Sequence, residues 1–261
     1  MKGKRVVFIL TAVWLAAFPV SAGIPERSLL DGVRPDARGR INVLVVFAHQ
    51  DDESIYEGGT LLKLKKDPRV HLYLLCMTFD QTSEAKDNLG ITPDHIGRIR
   101  VQELQTAAAV YEADEVIQFK YASRTLKDVE PEKLIGEIQA VMARTDAEIV
   151  ITHDPAGLTG HQDHITCSKV TAAAFQRSSA QALYYFTLPR FWYGLILATN
   201  TRDPTPPPVY PDLKVDVRAE KKLKKMADFA HASQMIFSPV VHLAQFFLAL
   251  DYEYFAVGGK K

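Results

Sequence analysis

Residues 41–57 read INVLVVFAHQDDESIYE, an apolar and largely β-branched run that ends in a histidine and a cluster of acids. Such a run is how a central strand of a parallel sheet reads, covered on both faces by apolar groups. His49, Asp51, Asp52 and Glu53 then fall just past its C-terminal end, where open α/β sheets bind their ligands. His49 and Asp52 lie three apart across a strand-to-helix turn, so both can converge on one point. A histidine and a carboxylate make two of the three protein ligands of a catalytic zinc site.

The third ligand has to come from elsewhere, and the comparable cluster is residues 152–164, THDPAGLTGHQDH, after a second apolar run at 147–151. His161 and His164 are three apart at an expected helix start, so both can face one way. Asp51 cannot easily share a metal with its neighbour Asp52, because adjacent side chains diverge. It is therefore the natural general base for a water molecule.

Together, AHQDDE after one strand and GHQDH after another resemble the signatures AHPDDE and GHxDH of the PIG-L/LmbE-like family of zinc-dependent N-acetylglucosaminyl deacetylases. The likeness covers residues 42–234. It implies an α/β fold, a Rossmann-like, doubly wound and mostly parallel sheet with helices on both faces. A sheet order of 3-2-1-4-5 would bring the ends of strands one and four together at the topological switch point. The resemblance also implies Zn2+ on His49, Asp52 and His164, with Asp51 as base. His161, if protonated, would serve the oxyanion and the leaving amine, Asp163 would stand behind a histidine and fix its orientation, and Glu53 would either stand behind the ligands or cap the following helix.

Two weaker likenesses follow. RIRVQELQTAAAVY at 98–111 resembles the family's RxxELxxAA segment, and Arg100 reads either as a helix-surface partner of Glu103 or as a substrate-rim residue. FAHASQM at 229–235 resembles an HxSQ segment, which makes His231 a candidate near the crevice. Two departures stand out. Gln50 occupies the place of the family's proline, which predicts a looser turn, and the run after the third strand, KYASRT at 120–125, lacks the family's acidic residue.

Of the 261 residues, 47% are hydrophobic and 24% charged, enough for one well-buried core and short for two. Residues 1–22 have a basic start, an apolar stretch of about 15 residues and Val-Ser-Ala before Gly23, the pattern of a secretory signal. Export and a single domain over 23–261 are the expectations, with an uncleaved membrane anchor as the alternative. The formal charge is +0, and removing Lys2, Lys4 and Arg5 with the leader leaves about −3, which argues against a nucleic-acid surface. Cys76 and Cys167 suit small buried hydrophobes rather than a bridge.

Further along, the sequence predicts a helix over 60–66 after Gly58 and Gly59, a strand over 70–78 and a polar loop over 79–93 at the same crevice. Next come a helix over 94–112, a strand over 115–119, a helix over 131–144 and a strand over 182–188. A stiff proline-rich loop over 203–212, a helix over 221–234 and an aromatic tail over 240–255 packed on the sheet complete the chain. The leading expectation is a zinc hydrolase that removes acetyl from an N-acetylglucosamine-type amino sugar or its conjugate. Alternatives are an amidohydrolase for another N-acyl substrate, a non-catalytic sugar-binding protein with a vestigial metal site, and a two-metal phosphoesterase. The last would need more ligands than these motifs offer.

Overall fold

The computed structural model describes residues 23–199, 206–237 and 240–261; the expected leader and the start of the proline-rich loop lie outside the described residues. β1 (Ile41–Phe47) is buried along its whole length and sends alternate residues to opposite faces. Val43, Val45 and Phe47 enter one apolar core, whereas Leu44 and Val46 enter the other. With both faces covered, the strand has no reason to alternate apolar with polar residues.

β1 pairs in parallel with β2 (Val70–Thr78) on one side and β4 (Ile149–His153) on the other, so that Val45 meets Leu74 and Ile151. β3 (Glu115–Tyr121) extends the sheet beyond β2, and β5 (Ala182–Thr187) extends it beyond β4. The order is β3-β2-β1-β4-β5-β7-β6; β7 (Tyr252–Lys260) runs antiparallel to both its neighbours, β5 and the edge strand β6 (Leu213–Asp216). The expected five-strand order therefore holds, and the order of winding reverses between β1 and β4, which themselves run parallel.

The helices are α1 (Asp52–Leu64), α2 (Ala85–Leu89), α3 (Pro93–Val110), α4 (Pro131–Arg144), α5 (Gly157–Gly160), α6 (Gln162–Gln176), α7 (Arg190–Thr199), α8 (Lys221–Ala230), α9 (Ala232–Phe237) and α10 (Val240–Ala249). α1, α3 and α8 cover the first core through Ile55, Leu104 and Ala227, and α4 and α6 cover the second through Ile138 and Val170. Among the described residues no helix is long and apolar enough to cross a membrane. Cys76 and Cys167 are free and buried.

Three expectations need correction. The helix expected at 60–66 begins at Asp52, so Gly58 and Gly59 lie inside it. A Cβ at Gly58 would stand 2.9 Å from the Tyr111 hydroxyl, and one at Gly59 would stand 2.7 Å from Val217 Cβ. The two glycines thus serve close packing of α1 against its neighbours. The tail does not simply lie on the sheet, since its last part joins it as β7, paired with β5 and β6. Glu253 of β7 then accepts the Gly59 and Thr60 N–H groups of α1 at 2.9 and 2.6 Å, and the Lys224 ammonium of α8 at 2.8 Å. The helix expected over 221–234 breaks at His231 into α8 and α9.

Candidate metal and catalytic site

The C-terminal ends of β1 and β4 open into a cleft of about 340 Å³ whose wall includes His49, Asp51, Asp52, Arg100, His161 and His164. The turn from β1 into α1 sets the first group. Asp51 sits at φ 119°, a left-handed conformation that non-glycine residues adopt only when their surroundings hold them there. Its N–H donates to Glu53 Oε2 at 3.1 Å, and the His49 N–H donates to Asp52 Oδ2 at 2.8 Å. Glu53 is fully buried; its other oxygen accepts the Ser54 hydroxyl at 2.7 Å and lies 2.8 Å from His231 Nε2.

Gln50 does not leave this turn loose. Its buried side chain donates to the Thr78 carbonyl at 2.9 Å and to Gln118 Oε1 at 3.0 Å, and its own carbonyl accepts from Arg100. Hydrogen bonds to β2 and β3 do the stiffening that a proline ring would do.

The second group comes from the segment between β4 and α6. His161 caps α6, with its Nδ1 accepting the Asp163 N–H at 3.2 Å, so its proton chemistry falls to Nε2. His164, one turn in, places Nδ1 3.1 Å from the Gly157 carbonyl. That contact puts the proton on Nδ1 and leaves a lone pair on Nε2. The Gly157 turn is itself held by buried Asp154, which accepts the Leu158 N–H at 2.7 Å and the Tyr193 hydroxyl at 2.9 Å. Leu158 there has φ 55°.

The two groups meet at short range. His164 Nε2 lies 3.0 Å from His49 Nδ1 and 3.4 Å from Asp52 Oδ1, and His49 Nδ1 lies 3.6 Å from Asp52 Oδ2. The far side of His49, Nε2, lies 3.1 Å from Asp163 Oδ2. With that nitrogen donating to Asp163, the lone pairs of His49 Nδ1 and His164 Nε2 point at each other beside a carboxylate. Such an arrangement is repulsive unless a cation lies within it. Without a metal a proton takes that role: burial disfavours the imidazolium, but the Asp163 and Asp52 carboxylates outweigh it and raise the His49 pKa to about 9.

Among the described residues two overlapping sets could hold a metal, His49 with His161 and His164, and Asp52 with His153 and His164. The expected ligands His49, Asp52 and His164 draw from both. His153 is the residue that sequence reasoning missed. It ends β4 and is stacked on His164 with ring centroids 4.1 Å apart. Its Nε2 accepts the Ala48 N–H at 3.0 Å, and burial lowers its pKa to about 4. The signal was present, since His153 lies in the same THD run at a strand end.

The two adjacent carboxylates are driven apart. Burial raises Asp51 to about 6, against the pull of Arg100. Asp52 is equally buried, but His164 and His153 hold it well below the usual carboxylate range. Neighbouring groups pushed in opposite directions mark separate roles. Asp163 is held low as well, burial being outweighed by the contacts with His49 and the Arg124 N–H.

Arg100 is 2% exposed and pairs with Asp51 at 3.1 Å and with Asp80. Glu103 turns instead to Ser233, accepting its N–H and hydroxyl at 2.7 Å each. Arg100 is therefore no helix-surface residue; it reaches the cleft wall as the partner of Asp51. His231 is fully buried and stands behind the site against Glu53, not on the cleft wall. The loop after β2 does border the cleft through Asp80, Thr82 and Ser83, and Asp80, which the sequence did not single out, neutralises Arg100.

Residues 44–175 match the PIG-L family, described as GlcNAc-PI de-N-acetylase. The chain belongs to the PIG-L family. One relative is a probable N-acetylglucosaminyl-phosphatidylinositol de-N-acetylase of Schizosaccharomyces pombe, 28% identical over 48% of this chain and 48% of its own. Another, a 1D-myo-inositol 2-acetamido-2-deoxy-alpha-D-glucopyranoside deacetylase of Saccharomonospora viridis, is 27% identical over 76% of this chain and 86% of its own. Among solved structures, an N,N'-diacetylchitobiose deacetylase from Pyrococcus horikoshii superposes with a TM-score of 0.65 at 17% identity, covering 98% of this chain and 94% of that one. At that identity the superposition establishes the PIG-L/LmbE-like fold.

Proposed function

We propose that this PIG-L family protein is a zinc-dependent amide hydrolase that removes the acetyl group from an N-acetylglucosamine-type amino sugar or its conjugate. The observation that carries the reading is the facing pair of imidazole nitrogens, His49 Nδ1 and His164 Nε2, 3.0 Å apart beside Asp52. With Asp51 adjacent, this is a donor set of the right kind and number for a catalytic metal. Relatives that act on amino sugars carrying phosphatidylinositol or inositol support the same reaction class.

In this reading His49, Asp52 and His164 hold the metal, and Gly157 and Asp163 fix the outer nitrogens of the two rings. When bound, the ion supplies a Lewis acid that polarises the acetyl carbonyl and stabilises the charge on its oxygen. Asp51 takes a proton from the attacking water as the water oxygen bonds to the acetyl carbon. The C–N bond then breaks as the amine nitrogen takes the proton that Asp51 removed from the water, while the His161 Nε2–H donates to the acetyl oxygen. Acetate and the free amine leave. Arg100 and the Glu53 contact to the Asp51 N–H hold the base in position.

The test is release of acetate and primary amine from N-acetylglucosamine and its glycosides, using protein depleted of metal by a chelator and then reloaded with zinc. Activity should vanish on depletion and return with zinc. Activity that survives depletion would exclude the metal-dependent reading. Export through residues 1–22 belongs to the same proposal and rests on their sequence pattern alone; the N-terminal mass of the exported protein checks it, with a start near Gly23 expected.

A further inference from the structure

The run after β3, residues 120–125, delivers one side chain that the reaction above does not use. Arg124 lines the cleft and is exposed. Its backbone is fixed with unusual firmness for a loop residue. It adopts φ 69°, its N–H donates to Asp163 Oδ2 at 2.5 Å, and the Leu126 N–H donates to Asp163 Oδ1 at 3.2 Å. Beside it, the Ser123 hydroxyl donates to Asp80 Oδ1 at 2.8 Å. The Asp163 oxygen that holds Arg124 is the one that contacts His49. Residue 124 is thus registered against the metal site, at a cost in backbone strain that a free surface arginine would not need.

The charges in the cleft wall single it out further. Arg100 is matched by two carboxylates, Asp51 and Asp80. Among the described residues Arg124 is the one other lysine or arginine on the wall, and no carboxylate of a described residue lies within 4.0 Å of its guanidinium. A planar guanidinium with all its donors available at the mouth of a cleft fits an oxyanion with two or more oxygens.

We propose that Arg124 recognises an anionic group on the aglycone of the substrate, a phosphodiester or a carboxylate. This deepens the deacetylase reading and rests on it. The nature of the aglycone is then read by a loop that the catalytic carboxylate system itself holds in place.

The test compares kcat/KM of the zinc-loaded enzyme on three N-acetylglucosaminides of similar size: a neutral alkyl glycoside, one with a phosphodiester and one with a carboxylate. The parent should prefer at least one anionic compound by about tenfold, the lower end of what a charge-assisted hydrogen bond contributes. The preference should reside in KM and shrink as salt is raised. Arg124→Glu should abolish or invert it, and Arg124→Lys should retain part of it, because lysine keeps the charge without the fork. Calorimetric binding of N-acetylglucosamine 1-phosphate against methyl N-acetylglucosaminide asks the same question without turnover. Equal binding of the two by the parent, or an unchanged ratio in Arg124→Glu, overturns the anion assignment while leaving deacetylation intact. Absence of deacetylation for all three compounds overturns the parent reading instead, and the binding ratio still decides the role of Arg124.

Discussion

Replacing Asp51 by asparagine separates metal binding from proton transfer. Asparagine keeps the size of the side chain and tolerates the left-handed backbone at φ 119°, so the N–H bond to Glu53 can persist. Arg100 keeps a carboxylate partner in Asp80, so no buried charge is left stranded. The three proposed ligand groups, His49, Asp52 and His164, are untouched. What disappears is a base within the cleft, and positioned bases contribute about 100- to 10,000-fold, roughly 3 to 5 kcal/mol of barrier. The fall should appear in kcat, with KM and zinc content close to the parent's. The assay is amine release from an N-acetylglucosaminide together with metal analysis of the same samples. Near-parental turnover in Asp51→Asn would refute its role as base, and loss of zinc would make Asp51 a ligand.

Metal analysis tests the ligands: His164→Ala, common to both candidate sets, should lower zinc affinity by more than about 100-fold, beyond the range typical of losing a residue behind a ligand, and the sets are told apart by His153→Gln, which keeps an acceptor for the Ala48 N–H and should retain the metal. Gln50→Ala removes the bonds to Thr78 and Gln118 and should cost about 1–3 kcal/mol of stability, read as a lower denaturant midpoint. Burial raises the Asp228 pKa to about 8 from 3.8, against the pull of Lys224. The folded protein therefore holds this proton more tightly than the unfolded chain, and the associated stability is full below about pH 4 and lost as pH rises through about 8. Asp228→Asn cannot ionise, so it should gain a few kcal/mol over the parent at pH 8 and show little difference at pH 4; denaturation at the two pH values checks this.

The centre of the parallel sheet was legible because its strands are covered on both faces, and the largely apolar runs 41–47 and 70–78 follow directly from that. The two strands beyond β5 were not. β6 has four residues, and its pairing with β7 joins Val215 to Glu253 across a long stretch of chain that no local pattern connects. Gly58 and Gly59 misled for a related reason. Their place inside α1 makes sense only once Tyr111 and Val217 are seen against them. At the site, residue types and spacing brought His49, Asp52 and His164 to one point, and the same logic overlooked His153 because attention to the three-residue spacing of His161 and His164 passed over the histidine that closes β4 in the same cluster. The roles of Arg100 and His231 depended on which charges face them, Asp51 and Asp80 for one and Glu53 for the other, and that is a tertiary fact.

One device recurs around the cleft and explains how it holds its shape. Asp51, Asp80 and Arg124 all line it with positive φ, and in two of the three a neighbouring carboxylate accepts the strained residue's N–H, Glu53 for Asp51 and Asp163 for Arg124. Each of those carboxylates also contacts a histidine, Glu53 with His231 and Asp163 with His49. A buried carboxylate that bonds both a backbone N–H and an imidazole loses more than one partner when either is removed, so strain at the turn and orientation of the ring are coupled. Glu53→Gln should therefore disturb Asp51 although it touches neither metal ligand nor cleft. Its amide can accept only through one oxygen, so it cannot serve the Asp51 N–H, the Ser54 hydroxyl and His231 together as the carboxylate does. The expected result is a fall in kcat of about 10- to 100-fold, the size seen when a residue behind an active group is changed, with zinc content unchanged. If Glu53→Gln instead kept full turnover and only lowered stability, Glu53 would be a packing residue and the coupling would not exist.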